Sequence, residues 1–266
     1  MSGVNLMWLE APDIAAAAQP GQFISVRCED FVLRRPFSIH QVNSNRIGVL
    51  FKVVGGGTLW LSRRQPSDKL DVLGPLGNGF SIPPFIARGE VARQSRNLLL
   101  LAGGIGIAPL VFLAQHAFSQ HSITLIHGAS TAEELYPLSW LRKPIRFMPV
   151  TEDGSKGRKG MVTDVLPDFL DWADHVYACA PLDMYKTMAD LAVAPSRSKG
   201  ERKGEGEKRD EESKLRKCQI SLEVRMGCGI GACYGCTINT NRGLKKVCRD
   251  GPVFELDDIL WEEVRI

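Results

Sequence analysis

Apolar residues change their spacing along the 266-residue chain, and the changes divide it into regions. From Gly21 to about Pro84 they alternate with polar residues or form short β-branched runs, at Phe23–Cys28, Phe37–Val42 and Ile47–Val54. Gly, Pro, Asn and Asp punctuate these runs, and LGPLGNGF (Leu73–Phe80) forms a glycine-rich corner. The pattern predicts a small antiparallel β-barrel. From Asn97 it changes. Leu98–Ala102 is continuously apolar, as in a parallel strand covered on both faces. A helix is expected from about Ala108 to Ser119, and further strands at Ile123–His127, Arg146–Val150 and His175–Ala178. Helical segments are expected near Glu133–Leu141, interrupted by Pro137, and at Val162–Phe169. Strands alternating with helices imply a doubly wound parallel sheet.

Between Arg197 and Lys217 the pattern dissolves: 15 of 21 residues are charged, nine basic and six acidic. Such a segment buries no core and reads as a flexible linker. The expected organisation is multidomain, β plus α/β, with a barrel over 1–92, a parallel-sheet nucleotide domain over 93–192, the charged linker over 193–217 and a small cysteine-rich domain over 218–266.

Composition narrows the setting. A hydrophobic fraction of 44% fills a core. The formal net charge of +3 is weak and much of the basic character sits in the one run, which argues against a nucleic-acid partner. No apolar stretch approaches the ~20 residues that span a bilayer. The N-terminus carries Glu10 and Asp13 and lacks the basic start of a signal peptide. Thiols kept reduced point to the cytoplasm.

Four of the seven cysteines, Cys228, Cys233, Cys236 and Cys248, are spaced C-x4-C-x2-C-x11-C within MGCGIGACYGCTINTNRGLKKVCRDGP. The first three positions match the plant-type [2Fe–2S] pattern, although the fourth comes much sooner. Thiolates suit iron–sulfur clusters and zinc alike. Structural zinc sites use two short cysteine knuckles, and only Cys233 and Cys236 form one here. The spacing therefore favours a cluster over zinc, and both over a disulfide. Cys28 and Cys218 read as buried or incidental thiols.

Nucleotide chemistry is written in three further places. LRRPFSI (Leu33–Ile39) puts Arg35 and Ser38 on one strand, where an arginine fork suits a phosphate. On a regular strand the two side chains fall on opposite faces, so a bend or bulge would be needed to aim both at one ligand. KVVGGGT (Lys52–Thr58) allows close backbone approach to a pyrophosphate. LLLLAGGIGIAPL (Leu98–Leu110) runs a buried strand into Gly103, Gly104 and Gly106, then a helix with Pro109 in its first turn, whose N-terminal end favours a phosphate. The next strand ends HGAST, with no acidic residue for a ribose 2′-hydroxyl and no arginine for a 2′-phosphate, which favours NAD over NADP. ACAPLDM (Ala178–Met184) puts Cys179 at the carboxyl end of the last parallel strand, where ligands of such sheets bind. The five histidines show no metal spacing. Asp153 and Asp164 read as turn and cap residues.

In this order the motifs resemble the ferredoxin-reductase superfamily. RPFS is similar to its flavin-binding signature, GGIGIAP to its pyridine-nucleotide turn, and CAPLDM to its late Cys-Gly-Pro element, with Ala180 in place of glycine. CGIGACYGC…VCRDGPVF and TEDGSKGRKGMVTDVL more narrowly resemble the electron-transfer subunits of NAD-dependent dihydroorotate dehydrogenases, which serve pyrimidine synthesis. The resemblance implies FAD on the barrel, NAD on the parallel sheet and a [2Fe–2S] cluster at the C-terminus. It implies flavin contacts from Arg35, Pro36, Phe37, Ser38, Leu50, Phe51, Lys52, Gly57 and Thr58, a nucleotide turn at Gly103, Gly104, Gly106 and Pro109, and a place for Ser38 and Cys179 beside the reacting rings. Cys228, Cys233, Cys236 and Cys248 would ligate iron. It also implies an FMN-containing catalytic partner in a heterotetramer, since nothing in the chain reads as a dihydroorotate pocket. A ferredoxin:NADP+ oxidoreductase or sulfhydrogenase subunit, or a non-catalytic iron–sulfur sensor, remains an alternative.

Overall fold

Three short runs of alternating residues pair into the first sheet. The structure is a computed structural model that describes residues 1–29, 31–83, 96–141, 145–193, 215 and 218–264. Strand β1 (Val4–Glu10) and helix α1 (Pro12–Ala17) precede β2 (Phe23–Val26), β3 (Arg35–Asn43), β4 (Arg46–Lys52), helix α2 (Gly56–Ser62) and β5 (Val72–Leu76). The antiparallel order is β1-β4-β3-β2-β5. Side chains from both edges, Met7 and Leu9 on β1 and Val72 on β5, reach one interior with Ile24, Phe37, Ile39, Val49 and Phe51. The sheet is thus curled into a barrel with an open seam. Strand β1 was not foreseen, because its residues are all half-buried up to Glu10 and show no clean alternation.

The second sheet gathers β6 (Asn97–Gly103), β7 (Ser122–Ala129), β8 (Arg146–Thr151), β9 (Arg158–Lys159), β10 (His175–Cys179), β11 (Cys218–Ser221) and β14 (Val253–Glu255). Its order is β14-β11-β10-β6-β7-β8-β9, and only β14 is antiparallel to its neighbour. Leu98 and Leu100 pack on helix α3 (Ile107–Ala117), while Leu99 and Leu101 face the opposite core. Strand alternation under two covered faces is why this run reads as unbroken apolar sequence. Helices α4 (Val162–Val165), α5 (Pro167–Leu170) and α6 (Leu182–Val193) accompany the second core. The hairpin β12 (Thr237–Thr240) and β13 (Gly243–Lys246), with helix α7 (Val247–Asp250), completes the C-terminal segment.

Two expectations change. The segment Glu133–Leu141 holds only 3-10 turns at Ala132–Glu134 and Leu138–Trp140. Between them Leu135 and Pro137 are extended and Leu135 and Tyr136 are buried, so the apolar residues serve a domain contact instead of a helix face. The 218–266 segment is not separate from the parallel sheet, because β11 and β14 extend it. The charged insert lies outside the described residues apart from Leu215, which is buried. Among the described residues no helix is long and apolar enough to cross a membrane.

Candidate functional site

The strand β3 begins with Arg35, whose Nη1 donates to the Leu33 carbonyl at 2.6 Å and whose guanidinium lies 5.3 Å from the Phe31 ring centroid. Helix α2 approaches so closely that a Cβ on Gly57 would sit 2.8 Å from Arg35 Nε. A cation held against bare backbone is a cradle that fits a phosphate. Thr58 is already engaged: its Oγ1 accepts from the Val54 and Gly55 amides at 2.9 and 3.1 Å.

The register Val26↔Arg35 to Phe23↔Ser38 is regular, and the irregularity in β3 falls later, between Ile39 and Gln41. The bulge that would aim Arg35 and Ser38 at one point is therefore absent from this stretch. Phe37 and Ile39 face the barrel interior, which turns Ser38 and His40 toward the nucleotide domain, where His40 Nδ1 donates to the Ala108 carbonyl at 3.0 Å. Phe51 also points inward and its ring lies 5.5 Å from that of Phe37. Whatever Phe37 and Phe51 offer a ligand comes from main chain. Leu50 faces the other way, into the core shared with α3. Lys52 Nζ lies 3.5 Å from Glu134 Oε1.

The parallel sheet reverses its winding between β6 and β10, and ligands of such sheets bind at the strand ends beside that point. Gly103, Gly104 and Gly106 lie there; Gly103 and Gly106 pack against the Cys179–Pro181 turn, whereas a Cβ on Gly104 would meet open space. A Cβ on Gly106 would fall 2.1 Å from the Cys179 carbonyl oxygen, so this glycine serves close packing. Pro109 is buried within α3. Ala180 fits because residue 103 is glycine: a Cβ on Gly103 would stand only 3.1 Å from the Ala180 Cβ. His127 Nε2 donates to the Gly104 carbonyl at 2.9 Å and its Nδ1 accepts from the Tyr136 amide at 3.2 Å. Burial holds both His40 and His127 neutral, with pKa values lowered to about 4. Asp164 accepts from the Met161 amide and Asp153 from that of Ser155, as turn residues do.

Cys179 is fully buried, and burial, then the nearby Glu223, pushes its thiol far above the usual range. Its Sγ lies 3.7 Å from Glu223 Oε1, with the thiol donating. Desolvation by the surrounding protein raises the Glu223 carboxyl's pKa as well, although the residue as a whole is exposed. Cys179 is thus a protonated thiol and no nucleophile. Glu223 escaped sequence reading because no local motif flags it; only the pairing of β10 with β11 brings it there. The end of β7 is likewise more acidic than its own sequence. Ser130 Oγ donates to Glu152 Oε1 at 3.1 Å and the Ser130 amide to Glu134 Oε2 at 3.3 Å.

The four cysteines meet in two pairs, Cys228 with Cys233 and Cys236 with Cys248. Amides point at each sulfur: Ile230, Ala232 and Cys233 at Cys228, Gly235 at Cys233, Cys248 at Cys236, and Gly231 at Cys248. Burial raises Cys228, but those amides and the Cys233 thiol outweigh it and bring its pKa to about 6. Burial and the adjacent Cys236 push Cys248 up to about 12. Among the described residues no three such side chains close around a single ion. Two thiol pairs fed by backbone donors fit a two-iron cluster better than a tetrahedral zinc cage.

Comparison with known proteins agrees with this donor set. Residues 223–260 match the family described as the iron–sulfur cluster binding domain of dihydroorotate dehydrogenase B. The dihydroorotate dehydrogenase B (NAD(+)) electron transfer subunit of Desulforamulus reducens is 36% identical over 269 residues, covering 96% of this chain and 92% of that protein. The subunit of that name from a Geobacillus species is 36% identical, covering 91% and 86%. Among solved structures, an NADH-dependent reduced ferredoxin–NADP oxidoreductase, studied for flavin-based electron bifurcation, superposes with a TM-score of 0.76 at 27% identity, covering 98% of this chain and 86% of that one. The Amycolatopsis cytochrome P450 reductase GcoB superposes at 0.57 and 22% identity over 73% of this chain and 63% of that one, a likeness of fold.

Proposed function

The chain belongs to the family of dihydroorotate dehydrogenase B (NAD(+)) electron transfer subunits, and from that premise we propose which residues do its work. It passes electrons from a dihydroorotate dehydrogenase catalytic subunit through [2Fe–2S] and FAD to NAD+, in pyrimidine biosynthesis. The observation that carries this reading is the convergence of four thiols in two pairs, of which Cys236 and Cys248 share a core with Phe23, the flavin strand's neighbour. The bound groups supply hydride exchange at the nicotinamide and flavin and single-electron transfer at the cluster.

The residues divide the rest. Arg35, against Gly57, holds a flavin phosphate, while Ser38 faces the nucleotide domain beside the flavin ring; the two separated points suit an extended dinucleotide. Pro36, Phe37, Leu50, Phe51, Lys52 and Thr58 shape the strand and turn that carry it. Gly103 and Gly104 receive the NAD pyrophosphate, and Gly106 and Pro109 set the turn. Cys179 and Glu223 border the nicotinamide as a neutral thiol beside a carboxyl, restricting water and orienting the ring. Cys228, Cys233, Cys236 and Cys248 hold the iron. We take the barrel as 1–92, the nucleotide domain as 93–192, the charged segment 193–217 as a connection and 218–266 as the cluster region. The partner carries FMN, the assembly is a heterotetramer, and the setting is the cytoplasm.

Purified anaerobically, the chain alone should pass electrons from NADH to artificial acceptors yet form no orotate, and adding the FMN partner should restore orotate formation coupled to NAD+ reduction. Orotate from the chain alone, or no restoration by the partner, would reject the reading. A ferredoxin-linked subunit like the solved neighbour would show the NADH–dye reaction without that restoration.

Nucleotide choice follows from the carboxylates at the end of β7. Glu152 and Glu134 disfavour a 2′-phosphate and offer acceptors to a 2′-hydroxyl. NADH should therefore reduce the flavin more efficiently than NADPH. Glu152→Ala should narrow the ratio of kcat/KM by roughly tenfold, since hydrogen bonds to charged groups are worth about 1.5–3 kcal/mol. Stopped-flow bleaching with an unchanged ratio in the variant would show that Glu152 does not discriminate.

A further inference from the structure

The glycine-rich corner after β5 is given no role in the reading above, yet Asn78 there meets the segment that follows Cys248 through its backbone amide and both ends of its side-chain amide. The Asn78 amide donates to the Gly251 carbonyl at 2.6 Å. Its side-chain Nδ2 donates to the Val253 carbonyl at 2.9 Å and to the Asp250 carbonyl at 3.2 Å. Its Oδ1 accepts from the Val253 amide at 2.9 Å. One side chain thus pairs with both the N–H and C=O of Val253, as a neighbouring strand would. The approach is tight: a Cβ on Gly77 would stand 2.6 Å from both the Gly251 oxygen and Pro252 Cδ. Gln22 Nε2 donates to the Gly77 carbonyl at 2.9 Å and so ties the corner to the start of β2.

Both ends of this contact lead to redox groups. Upstream of residues 250–253 lies α7 with Cys248. On the other side, Phe23 pairs in register with Ser38, and Phe23 shares a core with Cys236 and Cys248. A Cβ on Gly229, in the cysteine loop, would come 3.4 Å from Ser25 Oγ on β2. We propose that Asn78 is a positioning residue that locks the cluster-bearing segment onto the flavin barrel and so fixes the separation across which electrons pass. The inference rests on the functional reading above. Electron transfer between flavin and cluster falls steeply with separation, whereas hydride exchange with NADH does not pass through the cluster segment. Loss of Asn78 should act on one step only.

Asn78 is exposed, so replacing it leaves no cavity. Asn78→Ala removes the side-chain contacts. Asn78→Asp keeps the shape but sets carboxylate oxygen against the Val253 and Asp250 carbonyls. In anaerobic stopped-flow on the holo chain, NADH should bleach the flavin at the wild-type rate in both variants. Flavin-to-cluster transfer, followed at the cluster's visible bands, should slow severalfold. Amide hydrogen exchange at Val253 should accelerate while that of β6 stays unchanged, with iron content retained. Transfer at the wild-type rate would overturn the proposal, and so would a parallel loss of flavin bleaching, which would mark general damage. Should wild type itself show no NADH-driven cluster reduction, the functional reading fails, and unchanged exchange at Val253 would then overturn the lock separately.

Discussion

Cys248→Ser should suppress dihydroorotate-dependent NAD+ reduction by the reconstituted complex by more than roughly a hundredfold, since even the outer partners of a metal site cost 10- to 100-fold when removed. The same preparation should keep most of its NADH–dye activity, because a dye draws electrons from the flavin without the cluster. Cys248 is buried at the start of α7 and its sulfur accepts the Gly231 amide at 3.1 Å. Serine fits this space and still accepts that hydrogen bond, so the loop should fold. A serine hydroxyl gives up its proton to a metal far less readily than a thiol does, and it is a hard ligand that serves iron–sulfur centres poorly. Iron content and visible absorption should fall with the coupled reaction. Normal coupled turnover in the variant would mean that electrons do not travel through these cysteines.

Much of this site was legible because it is local in sequence. A cysteine spacing, a strand–glycine–helix run and an arginine–proline strand each carry their chemistry within 21 residues or fewer. What escaped was brought together by pairing across long separations. Glu223 reaches Cys179 only through β10 and β11, and Glu152 reaches Ser130 only through β7 and β8. Asn78 looks like an ordinary turn asparagine until Val253, 175 residues later, lies against it. The expected helix near Glu133–Leu141 failed for a related reason. Tyr136 is buried because its hydroxyl meets His40, 96 residues away, at 2.9 Å, and a contact of that kind leaves no helical period to read. Sheet membership was also hidden: Cys218–Ser221 reads as the start of a new domain, but its buried residues complete the older core.

Acid should loosen the docking of barrel on nucleotide domain, and the same contact explains why. His40 on β3 donates from Nδ1 to Ala108 at the start of α3, and its Nε2 meets the Tyr136 hydroxyl. His127 bridges the Gly104 carbonyl and the Tyr136 amide. The His127 arrangement requires a bare Nδ1, because an amide N–H cannot rotate away from a second donor. Burial lowers both pKa values to about 4, whereas an unfolded histidine titrates near 6.5. Above pH 6.5 neither state binds these protons, and the stabilisation is complete. As pH falls below 6.5 the unfolded chain takes up protons that the folded chain refuses, so stability drops until about pH 4, where the folded histidines also protonate. From pH 7.5 to 5 the loss should be about 2 kcal/mol for each histidine, against a total of roughly 5–15 kcal/mol for a typical domain. His121 and His175, also lowered by burial, add in the same direction. Glu223 and Glu255, whose carboxyls are raised by desolvation, oppose it near their own range. Urea unfolding of the chain at pH 7.5, 6 and 5 measures the slope, and His127→Gln, which cannot take up a proton, should flatten it by about one proton. A stability that stays level from pH 7.5 to 5 in the wild-type chain would show that these histidines are not held neutral in the folded protein.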